Sequence, residues 1–304
     1  MHAKVSDIPD KEYFALKAVD QSQLKQFIRN PAEWGWSLLH PEHDPTPAMQ
    51  FGTAFHAFIL NNIPVVSLDE GETFQSKENR AWRDEQVRDG NIVVSWKELQ
   101  LLRRMRANLE RYPEYLNMIE TGTAEVCIQW TDKETGLPLK AKPDLVPADK
   151  DFLVDLKTAS SAKADDFMRE SFKFGYHIQA QFYRQAVAMC RMDDLPRGKK
   201  VPDAMQFWVF EKTGACDWSP YSISGDNPMA ENANVSIRQA IRGIADMVRR
   251  GEDAGLGEGL EAGARWAVGG DGRPDHGYSK RVTEVKYSDW LLLRGEEFIP
   301  EFAS

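Results

Sequence analysis

The sequence predicts an α/β protein, a central mixed sheet flanked by helices with a helical N-terminal part, and three observations carry that prediction. Apolar residues recur at helical spacing through roughly the first 115 positions. Near residue 125 the pattern turns to alternation and short apolar runs. From Ala164 helical spacing returns, followed by two more alternating stretches and a last amphipathic helix.

Within the N-terminal part, Ser22 is placed to cap a helix carrying Leu24, Phe27 and Ile28, and Pro31 suits the first turn of a second. Thr46 and Pro47 supply the cap and first position of a third, whose Met49, Phe51, Phe55, Phe58 and Ile59 predict one buried side with His56 beside it. A further helix is expected from Ser95 to about Tyr112, with Leu99, Leu102, Met105 and Leu109 inward and Pro113 ending it. In Glu125 to Thr131, Val126, Ile128 and Trp130 share a face, and the turn-rich DKETGLP that follows predicts a hairpin. A return strand from Leu139 to Val146 and a third strand, DFLVDLKT, complete the expected meander, the last being central because it is mostly apolar.

From Ala164 to Met189 a helix with a break near Gly175 is predicted, then strands at Met205 to Phe210 and Trp218 to Ile223, then a helix with Ile237, Ile241, Ile244 and Val248 inward. Residues 251–277 hold nine glycines, a composition that predicts a mobile loop, and 278–304 form a C-terminal segment. The expected organisation is one domain over 1–304, mainly helical over 1–115, with its core at 120–250. No internal repeat is visible.

Composition narrows the function classes. The chain has 304 residues, 42% of them hydrophobic, enough for a sizeable core, and no run of eighteen apolar residues. With no secretory block at the N-terminus, the expected location is the cytoplasm, away from membranes. Cys127, Cys190 and Cys216 are far apart and read as reduced structural thiols. The net charge of -9 argues against a protein that coats nucleic acid indiscriminately. Between Lys140 and Lys200, twelve Lys or Arg nevertheless stand against nine Asp or Glu, which fits a local groove and a mixed solvated surface equally well.

The chemistry concentrates in KPDLVPADKDFLVDLKT. Strand alternation sends Asp155 and Lys157 to one face and Leu156 to the other, and pairing of neighbouring strands brings Asp144 to the same edge. Two converging carboxylates repel unless a cation lies between them, and such oxygen ligands select a hard ion such as magnesium or manganese. A site of this kind suits phosphodiester hydrolysis: the metal neutralises charge on the phosphate and acidifies a bound water, the Leu156 carbonyl can add a ligand, and Lys157 holds the attacking water. An ordinary surface ion pair satisfies the same three residues, because D-x-K is common. Gly52 with His56, and Gln179 with Tyr183, are each one helical turn apart; either pair reads as a site wall or as plain core. His40, His43 and Asp44 lie in a Pro-rich loop without a fourth ligand and read as solvated. The Arg80, Arg83 and Arg88 set and the Arg103, Arg104 and Arg106 set fit either a track for a DNA backbone or, slightly better, solvated helix faces, and Trp34 and Trp36 fit either base stacking or, more commonly, core.

In order, G-x-x-x-H, E, P-D, D-x-K and Q-x-x-x-Y resemble the RecB-like branch of the PD-(D/E)XK nuclease superfamily. Thr46 to His56, Glu134 to Gly136, Lys142 to Asp144, Asp155 to Thr158 and Gly175 to Ala180 are similar to the RecE-type (exonuclease VIII-like) exonucleases of phages and prophages, the likeness spanning about residues 20 to 224. The resemblance implies a restriction-endonuclease-like fold and Mg²⁺-dependent digestion of linear double-stranded DNA, 5' to 3', leaving 3' single strands for recombination, with Mn²⁺ able to substitute. It implies His56, Asp144, Asp155 and the Leu156 carbonyl as metal ligands and Lys157 as the catalytic lysine. Glu125 would serve a second metal or orient water, while Gln179, Tyr183, Thr158 and Lys142 would support these groups or touch DNA. Relatives form ring-shaped oligomers and work beside a single-strand annealing protein, so both partners are expected. Some RecB-like nucleases hold an iron-sulfur cluster on four cysteines; three scattered ones cannot, and no cluster is expected. Two other readings remain: an endonuclease on the same fold, and a non-catalytic DNA-binding protein.

Overall fold

The computed structural model describes residues 3–41, 45–190, 195, 201–270 and 276–278. His43 and Asp44, the basic residues Arg191, Arg197, Lys199 and Lys200, and nearly all of the C-terminal segment lie outside the described residues.

The chain opens with β1 (Lys4–Ser6) and α1 (Asp10–Ala15), followed by α2 (Gln21–Arg29), α3 (Pro31–Leu39) and α4 (Pro47–Leu60). Capping explains these starts. The Asp20 carboxylate accepts the Ser22 and Gln23 amides at 2.9 and 3.0 Å, so α2 begins earlier than Ser22, which falls inside its first turn. Asn30 does the same for α3, and Thr46 caps α4 with Pro47 at its first position. Phe51, Phe55 and Ile59 are buried as expected, whereas Met49, two positions before the buried stripe begins, is exposed and Phe58 is only partly buried.

Next come β2 (Val65–Val66), α5 (Lys77–Arg88), β3 (Ile92–Val93), α6 (Trp96–Leu109) and α7 (Pro113–Thr121). A capping box between Ser95 and Glu98 starts α6. Pro113 does not merely stop a helix but opens α7 from its first turn.

The core strands are β4 (Thr123–Ala124), β5 (Cys127–Thr131), β6 (Pro138–Ala141), β7 (Leu145–Val146) and β8 (Phe152–Ala159). After them come α8 (Ala164–Lys173), α9 (Tyr176–Ala188), β9 (Ala204–Glu211), β10 (Trp218–Ser224), α10 (Pro228–Asp253) and α11 (Gly259–Val268). A mixed five-stranded sheet has the order β10-β9-β8-β7-β4, with β8 and β9 parallel and the other pairs antiparallel. β8 is central, as its apolar sequence predicts.

The expected meander is corrected in one respect. β5 and β6 do form a hairpin, but with β1 they make a separate three-stranded sheet. The return segment changes sheets between Ala141, which pairs with Ile128, and Leu145, which pairs with Val154. Pro143 sits in that crossing, where its missing N–H costs no ladder bond.

Helices cover both faces of the five-stranded sheet. Val154, Leu156, Trp208 and Phe210 pack with Phe55, Leu102 and Met105 on one side; Leu153, Phe207 and Val209 pack with Ile178, Phe182 and Ile241 on the other. This three-layer arrangement is the restriction-endonuclease-like architecture.

The mobile-loop expectation is also corrected over 251–270, where α10 runs through Asp253 and α11 occupies 259–268, while 271–275 lie outside the described residues. Its glycines permit close packing. A Cβ on Gly251 would meet the Ala262 carbonyl oxygen at 2.1 Å, and one on Gly35 would meet the Ala264 carbonyl oxygen at 2.6 Å. Gly251→Ala is therefore expected to destabilise the protein by about 1–3 kcal/mol in urea unfolding; an unchanged midpoint refutes the close-packing role. No described helix is long and apolar enough to cross a membrane.

Candidate active site

The site begins with the register of β8. Alternation buries Leu156 beneath the sheet, 1% exposed, and turns Asp155 and Lys157 to the opposite face, where they form an ion pair. Thr158 alternates away from them, so the strand does not bring its side chain to the acidic pair. Asp144 arrives just ahead of β7. Its Oδ2 accepts the Leu156 amide at 2.6 Å, which ties the two neighbouring strands together at the acids.

Glu125 follows from the β4–β7 ladder. Thr123 and Ala124 pair with Val146 and Leu145, and the next amide, that of Glu125, donates to the Asp144 carbonyl at 2.9 Å. Glu125 is not part of β5 as the sequence predicts but sits before it with φ +47°, a left-handed conformation unusual for a side-chain-bearing residue. Its carboxylate accepts from Asn62 Nδ2 at 2.7 Å.

Two helices complete the walls. From α4, anchored by Phe55 edge-on to Phe210, His56 places Nε2 3.1 Å from the Leu156 carbonyl oxygen and Nδ1 3.5 Å from Asp144 Oδ1. From α9, Gln179 Nε2 donates to Asp155 Oδ1 at 2.5 Å. Gly175, at φ +65°, makes the break that separates α8 from α9 and aims Gln179 inward. Tyr183, one turn later, is buried and lines a cleft of about 200 Å³ with His56, Glu125, Lys142, Asp144 and Asp10. Lys142 is drawn to the cleft edge by Asp10, 2.5 Å away.

Electrostatics follow from burial. Asp144 is raised to about 6, first by desolvation and then by Asp155, against the opposing pull of His56, Lys157 and the Leu156 amide. Burial alone would lower the Lys157 ammonium, but Asp155 and Asp144 outweigh it and the group ends above its usual value. Burial holds the Tyr183 hydroxyl protonated far beyond the ordinary range.

The donor chemistry suits a hard divalent ion: the Asp144 carboxylate, the His56 imidazole and the Leu156 carbonyl adjoin one another, while the neighbouring Asp155 carboxylate faces Lys157 and Gln179. Asp155 Oδ2 is buried without a hydrogen bond of normal geometry, its neighbour being the Lys157 ammonium. Among the described residues no three His, Cys, Asp or Glu form a ready metal cage.

The structure adds residues the sequence did not single out. Lys25 of α2 lays its stem over Gly175, and burial, with the charge of Lys157 next, lowers its ammonium to about 8. Tyr176 puts its ring 5.1 Å from Lys157 Nζ. On an amphipathic helix a charged residue reads as solvated, so Lys25 carried no signal; nor did Asn62, which follows the helix that carries His56. Of the arginines read as solvated, Arg106 instead donates to the Ile59 carbonyl at 2.6 Å. Trp34 is core as expected, while Trp36 is exposed and stacks on His40.

A sequence profile described as "PDDEXK-like domain of unknown function (DUF3799)" matches residues 20–260. The chain belongs to that family. No curated protein matches the sequence. Among solved structures, a protein of Eubacterium rectale described as a "Putative exonuclease" is similar at 15% identity, covering 78% of this chain and 86% of that one with a TM-score of 0.52. An alkaline exonuclease from Laribacter hongkongensis (LHK-Exo) aligns at 13% identity over 81% and 100% of the two chains, with a TM-score of 0.32 that bears no weight. In this PDDEXK-like chain the sequence reads Pro-Asp at 143–144 and Asp-Leu-Lys at 155–157. Gln179 is the donor that orients the second of those acids. Gln179→Ala is accordingly expected to weaken divalent-ion affinity or turnover about 10–100-fold, as loss of a ligand-orienting bond does; unchanged ion titration and turnover would remove Gln179 from the site.

Proposed function

We propose that this PDDEXK-like protein is a metal-dependent DNA nuclease. The observation that supports it is the convergence of Asp144, Asp155 and Lys157 around the Leu156 backbone on one edge of the sheet. A divalent ion, when bound there, supplies charge neutralisation at the phosphate and a more acidic water. His56, Asp144, Asp155 and the Leu156 carbonyl would hold it. Gln179 fixes the orientation of Asp155, and burial of Leu156 fixes the strand. Lys157, kept protonated by the acids, positions the attacking water and stabilises charge on the phosphoryl oxygens. Glu125, held by Asn62, is placed to orient that water or a second ion.

The finer reading is a RecE-type exonuclease acting on linear duplex ends, 5' to 3', with Mg²⁺ as the ion and Mn²⁺ as a substitute. It leaves 3' strands for recombination. The motif order and the architecture shared with the Eubacterium rectale protein support this reading. A cytoplasmic homo-oligomeric ring working with a strand-annealing partner, and one domain across the chain, belong to the same proposal. Its test is digestion of end-labelled linear duplex and closed circular DNA with Mg²⁺, by the wild type and Lys157→Ala. Loss of label from linear 5' ends, intact circles and an inactive variant are expected. Cut circles would make the protein an endonuclease, and equal activity of the two proteins would refute the site.

A further inference from the structure

The corner between α8 and α9 carries apolar rings on its surface beside the candidate site. Phe172 is 73% exposed and Phe174 46%, and Met168, one helical turn before Phe172, is also exposed. These rings are organised. Phe172 stacks on His177 at 6.2 Å and 13°, and Phe174 stacks on Tyr176 at 6.1 Å and 29°. Tyr176 in turn stacks on buried Phe207 at 5.1 Å and lies 5.1 Å from Lys157 Nζ. A line of rings thus runs from Phe174 at the surface through Tyr176 to the lysine of the acidic pair, with the Phe172–His177 stack at the same corner.

Cations accompany the rings. Lys173 Nζ lies 5.1 Å from the centroid of Phe174. Lys25 lays its stem across Gly175, and its ammonium lies in the field of Lys157 and, with opposite sign, of Asp155 and Asp20. α8 also carries Asp165, Asp166 and Glu170, but Asp166 is held by Arg169. Exposed aromatic faces flanked by Lys are what unpaired bases and their phosphates recognise, since each base has a face to stack and each phosphate a charge to neutralise. A duplex keeps those faces covered.

We infer that Phe172, Phe174, Lys173 and Lys25 form a shelf for a single strand of nucleic acid, continuous with the Lys157 site. The inference rests on the nuclease reading for its direction, since the line of rings leads to Lys157. The shelf gives the strand leaving or entering the site a stacked path, independent of base sequence.

The test is fluorescence anisotropy of a labelled oligothymidylate with the full chain in EDTA, which keeps binding separate from hydrolysis. The double variant Phe172→Ala/Phe174→Ala is expected to weaken binding about tenfold or more. Phe172→Trp should retain it. Lys173→Ala and Lys25→Ala should each flatten the dependence of log K on log salt by about 0.7. Because both phenylalanines are exposed, an unchanged circular dichroism melt is expected. Equal binding by wild type and double variant overturns the shelf, as does a wild type that digests linear duplex but does not bind the oligonucleotide. If the double variant only shifts the elution volume, the surface joins two copies of the chain and the inference fails. Binding that depends on the rings in a protein that hydrolyses no DNA would uphold the shelf while refuting the nuclease reading.

Discussion

Asp155→Asn is expected to reduce digestion of linear duplex by about a thousandfold or more, with a melting temperature only a few degrees below wild type. Asparagine preserves the shape of the side chain and an oxygen for the Gln179 donor, so the wall formed by α9 stays in place. What changes is charge. Asp155 is 2% exposed, and its carboxylate is both the ion-pair partner of Lys157 and the oxygen without a normal hydrogen bond. The amide nitrogen that replaces that oxygen would face the ammonium, donor against donor, which costs about 1–3 kcal/mol. A variant within tenfold of wild-type turnover, at matched fold content, would show that hydrolysis occurs elsewhere.

Asp144→Asn is expected to have opposite effects on activity and on stability: the variant is inactive, yet in a chelating buffer at about pH 8 it resists urea better than the wild type, by roughly 1–3 kcal/mol. The sign follows from the shift. Burial first, and Asp155 after it, raise the Asp144 carboxyl from 3.8 to about 6 in the folded chain. The fold therefore prefers the protonated acid. Its contribution is fully present below the unfolded value and is lost as pH rises through the folded one, so the wild type carries a penalty at about pH 8 that it lacks at about pH 3. Asparagine does not ionise, and its oxygen can still accept the Leu156 amide. Divalent ion should reverse the order, because it stabilises the wild type by mass action and finds one carboxylate fewer in the variant. Urea midpoints at both pH values, with and without Mg²⁺, decide the matter. A variant less stable than wild type at about pH 8 in chelator would mean that Asp144 is a structural acceptor and not a strained acid.

Much of the site is visible in the chain because its central chemistry is local. Asp155, Leu156 and Lys157 need only a strand to be sorted onto two faces, and the apolar run around them marks that strand as central. The less legible parts depend on non-local geometry. Whether LKAKPDLV is one strand or two depends on which sheet each end joins, and alternation is the same in both cases. Glycines at 251 and 263 look like loop formers by composition, while in the fold they let α11 approach α10. Lys25 differs from other helix lysines only in what packs over it. Glu125 continues an alternating pattern yet turns left-handed, because its amide pairs with Asp144 rather than with β1 or β6.

The amino-acid sequence by itself determined the starts of α4 at Thr46 and α6 at Ser95, the central strand, and the side of the sheet on which Asp155 and Lys157 stand, since each depends on neighbours within a few positions. Only the tertiary structure decided that His56, a hundred residues earlier, reaches the Leu156 carbonyl, and that Gln179 closes on Asp155 from the other layer. The physical reason is that helix-to-sheet distances are set by the side chains packed between layers, and no stretch of sequence contains both sides of that contact.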